Sequence, residues 1–231
     1  MIRILLCSEG KTEHGSVKYQ DGAYTPDDGV MQIILQKLAE NITIMCISKK
    51  RSDIEHFRLL PPKRNFERHQ HITARRLAAI TQYEECDFIA YHRDEDNKGF
   101  QEMYAQVKGN FTVAEEKGIP CLAIVPMHMT ESWLLSDANA FPLTPDKPPL
   151  PRKPEETWGA TGSDRHPKKY LERVLKQFHL HSSTEAYCEI ARNSSISIMR
   201  NRCPVSFGRL CEDMEELLTE KRRLNNLVWL P

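Results

Sequence analysis

The sequence has no excess of either charge. Its 32 Lys and Arg residues balance 32 Asp and Glu residues, so the formal net charge of the 231-residue chain is zero. Proteins that bind nucleic acid through their overall field are strongly basic, and this balance excludes that mode of binding for the chain as a whole. Any contact with nucleic acid must therefore come from a local patch.

Paired cysteines and long apolar runs are also missing. The seven cysteines are scattered and form no Cys-x-x-Cys pair, which argues against a zinc knuckle or a disulfide framework. No segment approaches the roughly 18 consecutive apolar residues of a membrane span. The N-terminus also lacks the cationic stretch and long apolar run of a secretory leader. We expect a cytoplasmic protein that does not contact a membrane.

Short apolar runs alternate with helical patterns in the first part of the chain. Residues 1–8, 42–47, 88–91 and 120–126 have the composition of buried strands, and the segments between them contain helical spacing, with helices predicted over 73–84 and near 101–117. Residues 49–71 are basic and contain two adjacent prolines, which predicts an excursion rather than a part of the core. Strands that alternate with helices predict an α/β fold with a mainly parallel, Rossmann-like sheet flanked by helices.

The character of the sequence changes after residue 140. Residues 141–154 hold six prolines and can form neither a helix nor a central strand. From residue 166 onward, apolar residues repeat at helical spacing. We therefore predict an α/β domain over residues 1–140, a Pro-rich linker or wrap over 141–165, and a small helical C-terminal annex over 166–231 that packs on the first domain.

Carboxylates follow the ends of three predicted strands. Glu9 and Glu13 follow the first, Asp94 and Asp96 follow a later one, and Glu131 follows the last. Because parallel strands end at the same edge of a sheet, we expect these side chains to gather there. Carboxylate oxygens suit Mg²⁺ or Mn²⁺, and these ions suit phosphate chemistry. The pattern predicts a metal-dependent phosphodiester enzyme.

Each carboxylate also has a structural interpretation. The aspartates can belong to a solvated turn. Glu9 can be a charge at the N-terminus of a helix, and Glu13 can be a carboxylate of a helix turn that faces water. Glu131 can open a purely structural helix whose first hydrogen-bonding residue is Thr130. The densest basic stretch, residues 49–76, can follow the phosphates of a substrate or form a solvated face.

The acidic motifs carry a resemblance to a known family. Residues 9–13 (Glu-Gly-Lys-Thr-Glu) after the first strand and Asp94-x-Asp96 after a later one resemble a Toprim domain, the metal-binding fold of topoisomerases, primases, recombination mediators and overcoming-lysogenization-defect nucleases. With residues 125–137, 166–169 and 203–207 included, the chain is more closely similar to a family of Toprim-like bacterial proteins of unknown function. The similarity spans most of the chain.

The resemblance implies roles for individual residues. In Toprim enzymes the first-strand Glu takes part in acid/base catalysis and the Asp pair holds Mg²⁺, which implies these catalytic roles for Glu9, Asp94 and Asp96. In the nuclease branch a second Glu of the first motif helps to hold the metal, which implies the same for Glu13. Glu131 is a further candidate metal ligand.

The function implied is a divalent-metal-dependent nuclease, or a related phosphodiester-processing enzyme, that acts on DNA or RNA with Mg²⁺ or Mn²⁺. Proteins that resemble this family often partner an ATPase in bacterial defence, including phage defence, or in genome maintenance. Lys11, Lys168 and Lys169 are candidate substrate-binding residues. Two alternatives stay open: a metal- or protein-binding regulatory module without catalysis, and a phosphohydrolase that acts on nucleotides.

Overall fold

The computed structural model describes residues 1–20, 23–58, 70–95, 98–141, 147–156, 158 and 166–227. The strands are β1 (Ile2–Ser8), β2 (Ser16–Gln20), β3 (Ala23–Asp27), β4 (Ile44–Lys50), β5 (Phe88–His92) and β6 (Cys121–Ile124). The helices are α1 (Lys11–His14), α2 (Val30–Leu38), α3 (Arg51–His56), α4 (Gln70–Tyr83), α5 (Phe100–Gly109), α6 (Thr112–Glu116), α7 (Thr130–Leu134), α8 (Pro167–Gln177), α9 (Thr184–Asn193), α10 (Ile196–Arg202) and α11 (Ser206–Leu227), with a 3-10 turn at Ala138–Ala140.

Four strands form one all-parallel sheet in the order β4-β1-β5-β6. This confirms the predicted α/β class with a parallel sheet flanked by helices. Strands β2 and β3 form a separate antiparallel hairpin. The hairpin was not predicted, because its sequence is polar and contains Gly and Pro, which are typical of a loop.

Helices cover both faces of the sheet, which explains why its central strands are continuously apolar. Along β1, Ile4 and Leu6 pack in one hydrophobic cluster, and Leu5 and Cys7 pack in a second cluster on the opposite face. The first cluster includes residues of α2, α7 and the C-terminal helices, and the second includes residues of α3 to α6. The period of two along the strand thus divides the core into two layers.

The C-terminal helices share a core with the sheet. Leu171 of α8, Ile190 of α9 and Phe207 of α11 are fully buried in the same cluster as β1. Helix α8 begins with Pro167 in its first turn, a position where the missing N–H of proline costs nothing.

Two predicted boundaries were wrong in detail. The helix expected near residues 101–117 is broken into α5 and α6, because Gly109 and Asn110 favour a helix end and Phe111 turns into the core. The basic stretch after residue 49 is not wholly an excursion, since α3 buries Ile54 beneath the sheet. Among the described residues, no helix combines the length and the apolar character needed to cross a lipid bilayer.

The strand order creates a crevice at one edge of the sheet. After β1 the chain continues to β4 on one side, and it later returns to β5 on the other side of β1. Such a reversal opens a crevice at the carboxyl ends of the two strands, where open α/β sheets bind ligands. Glu9 follows β1 and Asp94 lies two residues beyond the end of β5, so both are at this crevice.

Candidate functional site

Asp94 joins the end of β5 to the start of α7. Its Oδ1 accepts a hydrogen bond from the backbone N–H of Thr130 at 3.2 Å and lies 3.5 Å from His92 Nε2. The hydroxyl of Thr130 is engaged by the same His92 nitrogen at 3.0 Å. Helix α7 therefore has a carboxylate from a distant segment at its first turn, and the predicted capping role of the Thr130 side chain is not what is observed.

The environment of Asp94 is acidic as well as largely buried. Burial raises the pKa of Asp94 well above its usual range, and the negative charges of Glu131, Glu13 and, less strongly, Glu9 raise it further. The hydrogen bond from Thr130 acts in the opposite direction. Four carboxylates from three separate segments thus lie within electrostatic reach of one another. We call Glu9, Glu13, Asp94 and Glu131 the acidic cluster.

Glu131 is the most buried carboxylate of the acidic cluster, with 8 % of the residue exposed. Burial raises its pKa to about 7, and the charge of Glu13 adds to the effect, while its own backbone N–H and Lys168 oppose it. Its place in the first turn of α7 follows from the short connection between β6 and that helix. Glu131 is consequently ready to change protonation near neutral pH.

Glu13 turns back over the end of β1. A Cβ atom added to Gly10 would lie 2.5 Å from Glu13 Oε2, so a side chain at this position would displace the flexible end of Glu13. Gly10 thus lets the Glu13 carboxylate lie against the turn that follows β1.

Glu9 is the most exposed member of the acidic cluster and contacts two cations. Its Oε1 lies 3.1 Å from the guanidinium of Arg51 and 3.7 Å from Nε of Arg93. The Glu9 side chain retains 37 % of its accessible surface. It is therefore the carboxylate most accessible to water and to a bound substrate.

A second group of cations lies beside Glu131. The pKa of His166 is lowered, first by burial and then by the positive charges of His128, Lys169 and Lys168. Lys168 also interacts with Glu131 itself. Of the predicted substrate-binding residues, Lys168 thus lies at the border of the acidic cluster, and Lys169 lies near His166.

Glu95 is a site residue that sequence reasoning missed. It is 7 % exposed, and its two oxygens accept hydrogen bonds from Gly99 N–H at 3.1 Å and from His128 N–H at 2.8 Å. The carboxylate ties the loop that carries Asp94 to the loop before α7. Its position between two aspartates in the sequence suggested an exposed turn, and nothing in that pattern indicated that Glu95 is buried.

We expect Glu95→Ala to lower the free energy of unfolding by about 2–4 kcal/mol, because two amides lose a charged acceptor in a buried place. Urea unfolding followed by circular dichroism measures the difference. Glu102→Ala is the control, since that exposed glutamate accepts a hydrogen bond from Gln106 within its own helix, and we expect a change below about 0.5 kcal/mol. Equal stabilities of the two variants would contradict the bridging role of Glu95.

Asp137 has a structural role in the described part of the chain. Its oxygens accept hydrogen bonds from Asn139 N–H and Ser195 N–H, both at 2.9 Å, and so hold the turn before α10. Two predicted site residues cannot be placed, because Asp96 and the side chain of Lys11 lie outside the described residues.

The described site contains the right chemistry for a cation without forming a complete coordination shell. Within the described ranges, no group of three or more His, Cys, Asp or Glu side chains has the arrangement of a formed metal site. The donors that do approach one another are carboxylate oxygens, the type preferred by hard divalent ions. Comparisons of the chain with protein-family models, curated proteins and solved structures gave no match.

Proposed function

We propose that the chain is a Toprim-like, divalent-metal-dependent enzyme that processes phosphodiesters, most specifically a nuclease. One observation carries the proposal: four carboxylates from three segments of the chain gather beside the crevice of an all-parallel sheet although they repel one another. Such an arrangement costs folding free energy, and proteins retain costs of this kind at functional sites. A bound cation relieves the repulsion.

The donor set fits Mg²⁺ or Mn²⁺. Glu9, Glu13, Asp94 and Glu131 would hold the ion, and the resemblance to Toprim domains adds Asp96. When bound, such an ion supplies stabilisation of negative charge on a phosphoryl oxygen. Asp94 is already oriented for this task, because the amide of Thr130 fixes one of its oxygens.

Glu9 is the residue that we assign to proton transfer. It is the most accessible carboxylate of the acidic cluster, and it can exchange a proton with water or with a leaving oxygen in the crevice. Asp94 and Glu131 are less suited to this role, since they keep less accessible surface than Glu9.

The distribution of cations favours a polymer over a mononucleotide. Arg51 and Arg93 lie on the Glu9 side of the acidic cluster, and Lys168 and Lys169 lie on the Glu131 side. Positive groups on both sides of a reaction centre suit an extended chain of phosphates. Because the net charge is zero, a partner such as an ATPase would supply further grip on DNA or RNA.

The proposal is tested by incubating the purified protein with plasmid DNA, RNA and nucleotides in Mg²⁺ or Mn²⁺, with EDTA as the blank. We expect cutting of a polymer, lowered at least about a hundredfold by Glu9→Gln because its proton-transfer group is lost. Asp94→Asn is expected to lose activity as well, since it removes a charged ligand. Gels and product chromatography report the cleavage.

Glu102→Gln is the matched control, because it neutralises an exposed carboxylate on α5 outside the acidic cluster. Its activity should equal that of the unmodified chain. Turnover of nucleotides alone would favour a phosphohydrolase. Binding of Mn²⁺ without turnover of any substrate would favour a regulatory module and end the nuclease proposal.

A further inference from the structure

Charged residues of opposite sign follow the ends of three neighbouring strands, at matching positions in the register of the sheet. In the sheet, β1 lies between β4 and β5, with Ser8 opposite Lys50 and Cys7 opposite Tyr91. The next residues in this register are Arg51 after β4, Glu9 after β1 and Arg93 two positions beyond Tyr91. The register therefore places one arginine on each side of Glu9.

The two arginines converge on a single oxygen atom. Arg51 Nη1 lies 3.1 Å and Arg93 Nε lies 3.7 Å from the same Glu9 Oε1. Arg51 additionally contacts Glu55 at 3.0 Å, so its guanidinium has a fixed orientation. Convergence of two guanidinium groups on one anionic oxygen is the arrangement that binds phosphate, and here a carboxylate of the chain itself takes that place.

Solvent reaches this ion pair. The side chains of Arg51 and Glu9 keep 41 % and 37 % of their accessible surface, and Arg93 keeps 20 %. Ion pairs with such exposure add little to stability, so their exchange for another anion is inexpensive. A phosphate oxygen that arrives from solvent meets the exposed guanidinium of Arg51 directly. Nε of Arg93 is itself buried, so the phosphate reaches it by taking the position of Glu9 Oε1.

We propose that Arg51 and Arg93 bind a phosphate group of the nucleic-acid backbone by exchange with Glu9. The phosphate takes the place of Glu9 Oε1 between the two guanidinium groups, and the released carboxylate becomes available for proton transfer. This inference rests on the proposed function, since it takes the ligand to be a phosphodiester. It adds that Glu9 is held by the arginines until a substrate phosphate displaces it.

The exchange is tested by binding, without catalysis. A short fluorescent single-stranded DNA is titrated with protein in EDTA at low salt, and anisotropy gives the affinity. We expect the Arg51→Gln, Arg93→Gln double variant to bind about tenfold more weakly, because two charge-assisted contacts to phosphate are lost. Arg192→Gln is the control, as that arginine forms an exposed ion pair with Asp28 at 3.6 Å, and its affinity should be unchanged.

Glu9→Gln has the opposite expected effect. Removing the competing carboxylate should strengthen DNA binding in EDTA about three- to tenfold, although the same substitution removes the proposed proton-transfer group. Asp28→Asn makes the same change of net charge at the control ion pair, and we expect no comparable gain from it. A Glu9→Gln variant that binds no more tightly than the unmodified chain would overturn the exchange.

Combining the substitutions separates exchange from simple repulsion. If Glu9 competes for the arginines, the gain from Glu9→Gln should disappear when Arg51 and Arg93 are glutamines; an equal gain in both backgrounds would refute the proposal. Thermal melting verifies that each variant is folded. The Arg51→Lys, Arg93→Lys double variant is a second control, because it retains both positive charges. Because no metal is present, loss of this binding pattern is distinguishable from failure of the nuclease proposal, which concerns cleavage alone.

Discussion

Glu131→Gln is expected to stabilise the metal-free protein by about 2–3 kcal/mol at a pH well above 7, an unusual result for a buried residue. The reason is the cost of keeping this carboxylate ionised where burial and the charge of Glu13 raise its pKa to about 7. A glutamine of nearly the same shape removes that cost.

The gain should depend on pH in a definite direction. The pKa of Glu131 is about 7 in the folded protein against an ordinary value of 4.5, so the folded state holds the proton more tightly than the unfolded state. The loss of folding stability caused by the ionised Glu131 is therefore complete above pH 7, decreases as the pH falls, and is absent below about pH 4.5. The stability of Glu131→Gln and of the unmodified chain should converge over that range.

Urea unfolding in EDTA at a series of pH values measures this difference. Glu102→Gln serves as the control, since its carboxylate is exposed in α5, and its stability should follow that of the unmodified chain at every pH. A loss of stability in Glu131→Gln above pH 7 would show that the carboxylate is a structural element. Adding Mn²⁺ should raise the melting temperature of the unmodified chain more than that of the variant, because a ligand stabilises the state that binds it.

Trp133→Ala is expected to destabilise the protein by about 3–5 kcal/mol, the range for removal of a fully buried large aromatic side chain. Trp133 has no exposed surface, its Nε1–H donates to Ser206 Oγ at 2.7 Å, and its ring packs edge-on against Phe207 at 5.1 Å. The substitution would leave a cavity between α7 and α11 and would remove one of the two hydrogen bonds of the Ser206 hydroxyl.

A buried hydrogen-bond network around Ser206 increases the loss of stability expected for Trp133→Ala. Its hydroxyl also donates to Glu155, whose two oxygens accept the N–H groups of Val205 and Ser206 at the start of α11. Glu155 is buried as well, at 3 % exposure, and depends on these donors for its solvation. Trp133 thus closes a network that links α7, and with it Glu131, to the C-terminal helices.

Chemical denaturation of Trp133→Ala and Trp133→Phe separates packing from hydrogen bonding. The Phe variant keeps most of the ring and should lose about 1–2 kcal/mol, mainly for the missing N–H donor. Trp158→Ala is the control, because this partly exposed residue lies at the border of the core, where it packs edge-on against Tyr170 at 5.5 Å and donates to the backbone carbonyl of Pro154. Similar costs for both Trp→Ala variants would contradict the central position of Trp133.

Local pattern was sufficient for much of the fold. The apolar runs at β1, β5 and β6 predicted buried strands, and their alternation with helices predicted the parallel sheet. The local sequence pattern did not predict the β2–β3 hairpin or the break between α5 and α6, because the turn-forming residues there permit more than one local structure. Such ambiguities are resolved by packing, which a short window of sequence does not contain.

The sequence by itself determined which residue types follow the strand ends. Because parallel strands bring their carboxyl ends to one edge of the sheet, the approach of Glu9, Asp94 and Glu131 was predictable from the sequence. Tertiary structure alone decided that β1 lies between β4 and β5, which places Arg51 and Arg93 on either side of Glu9. Strand order and register depend on contacts between segments far apart in the chain, and these also determine which carboxylates are buried and repel one another.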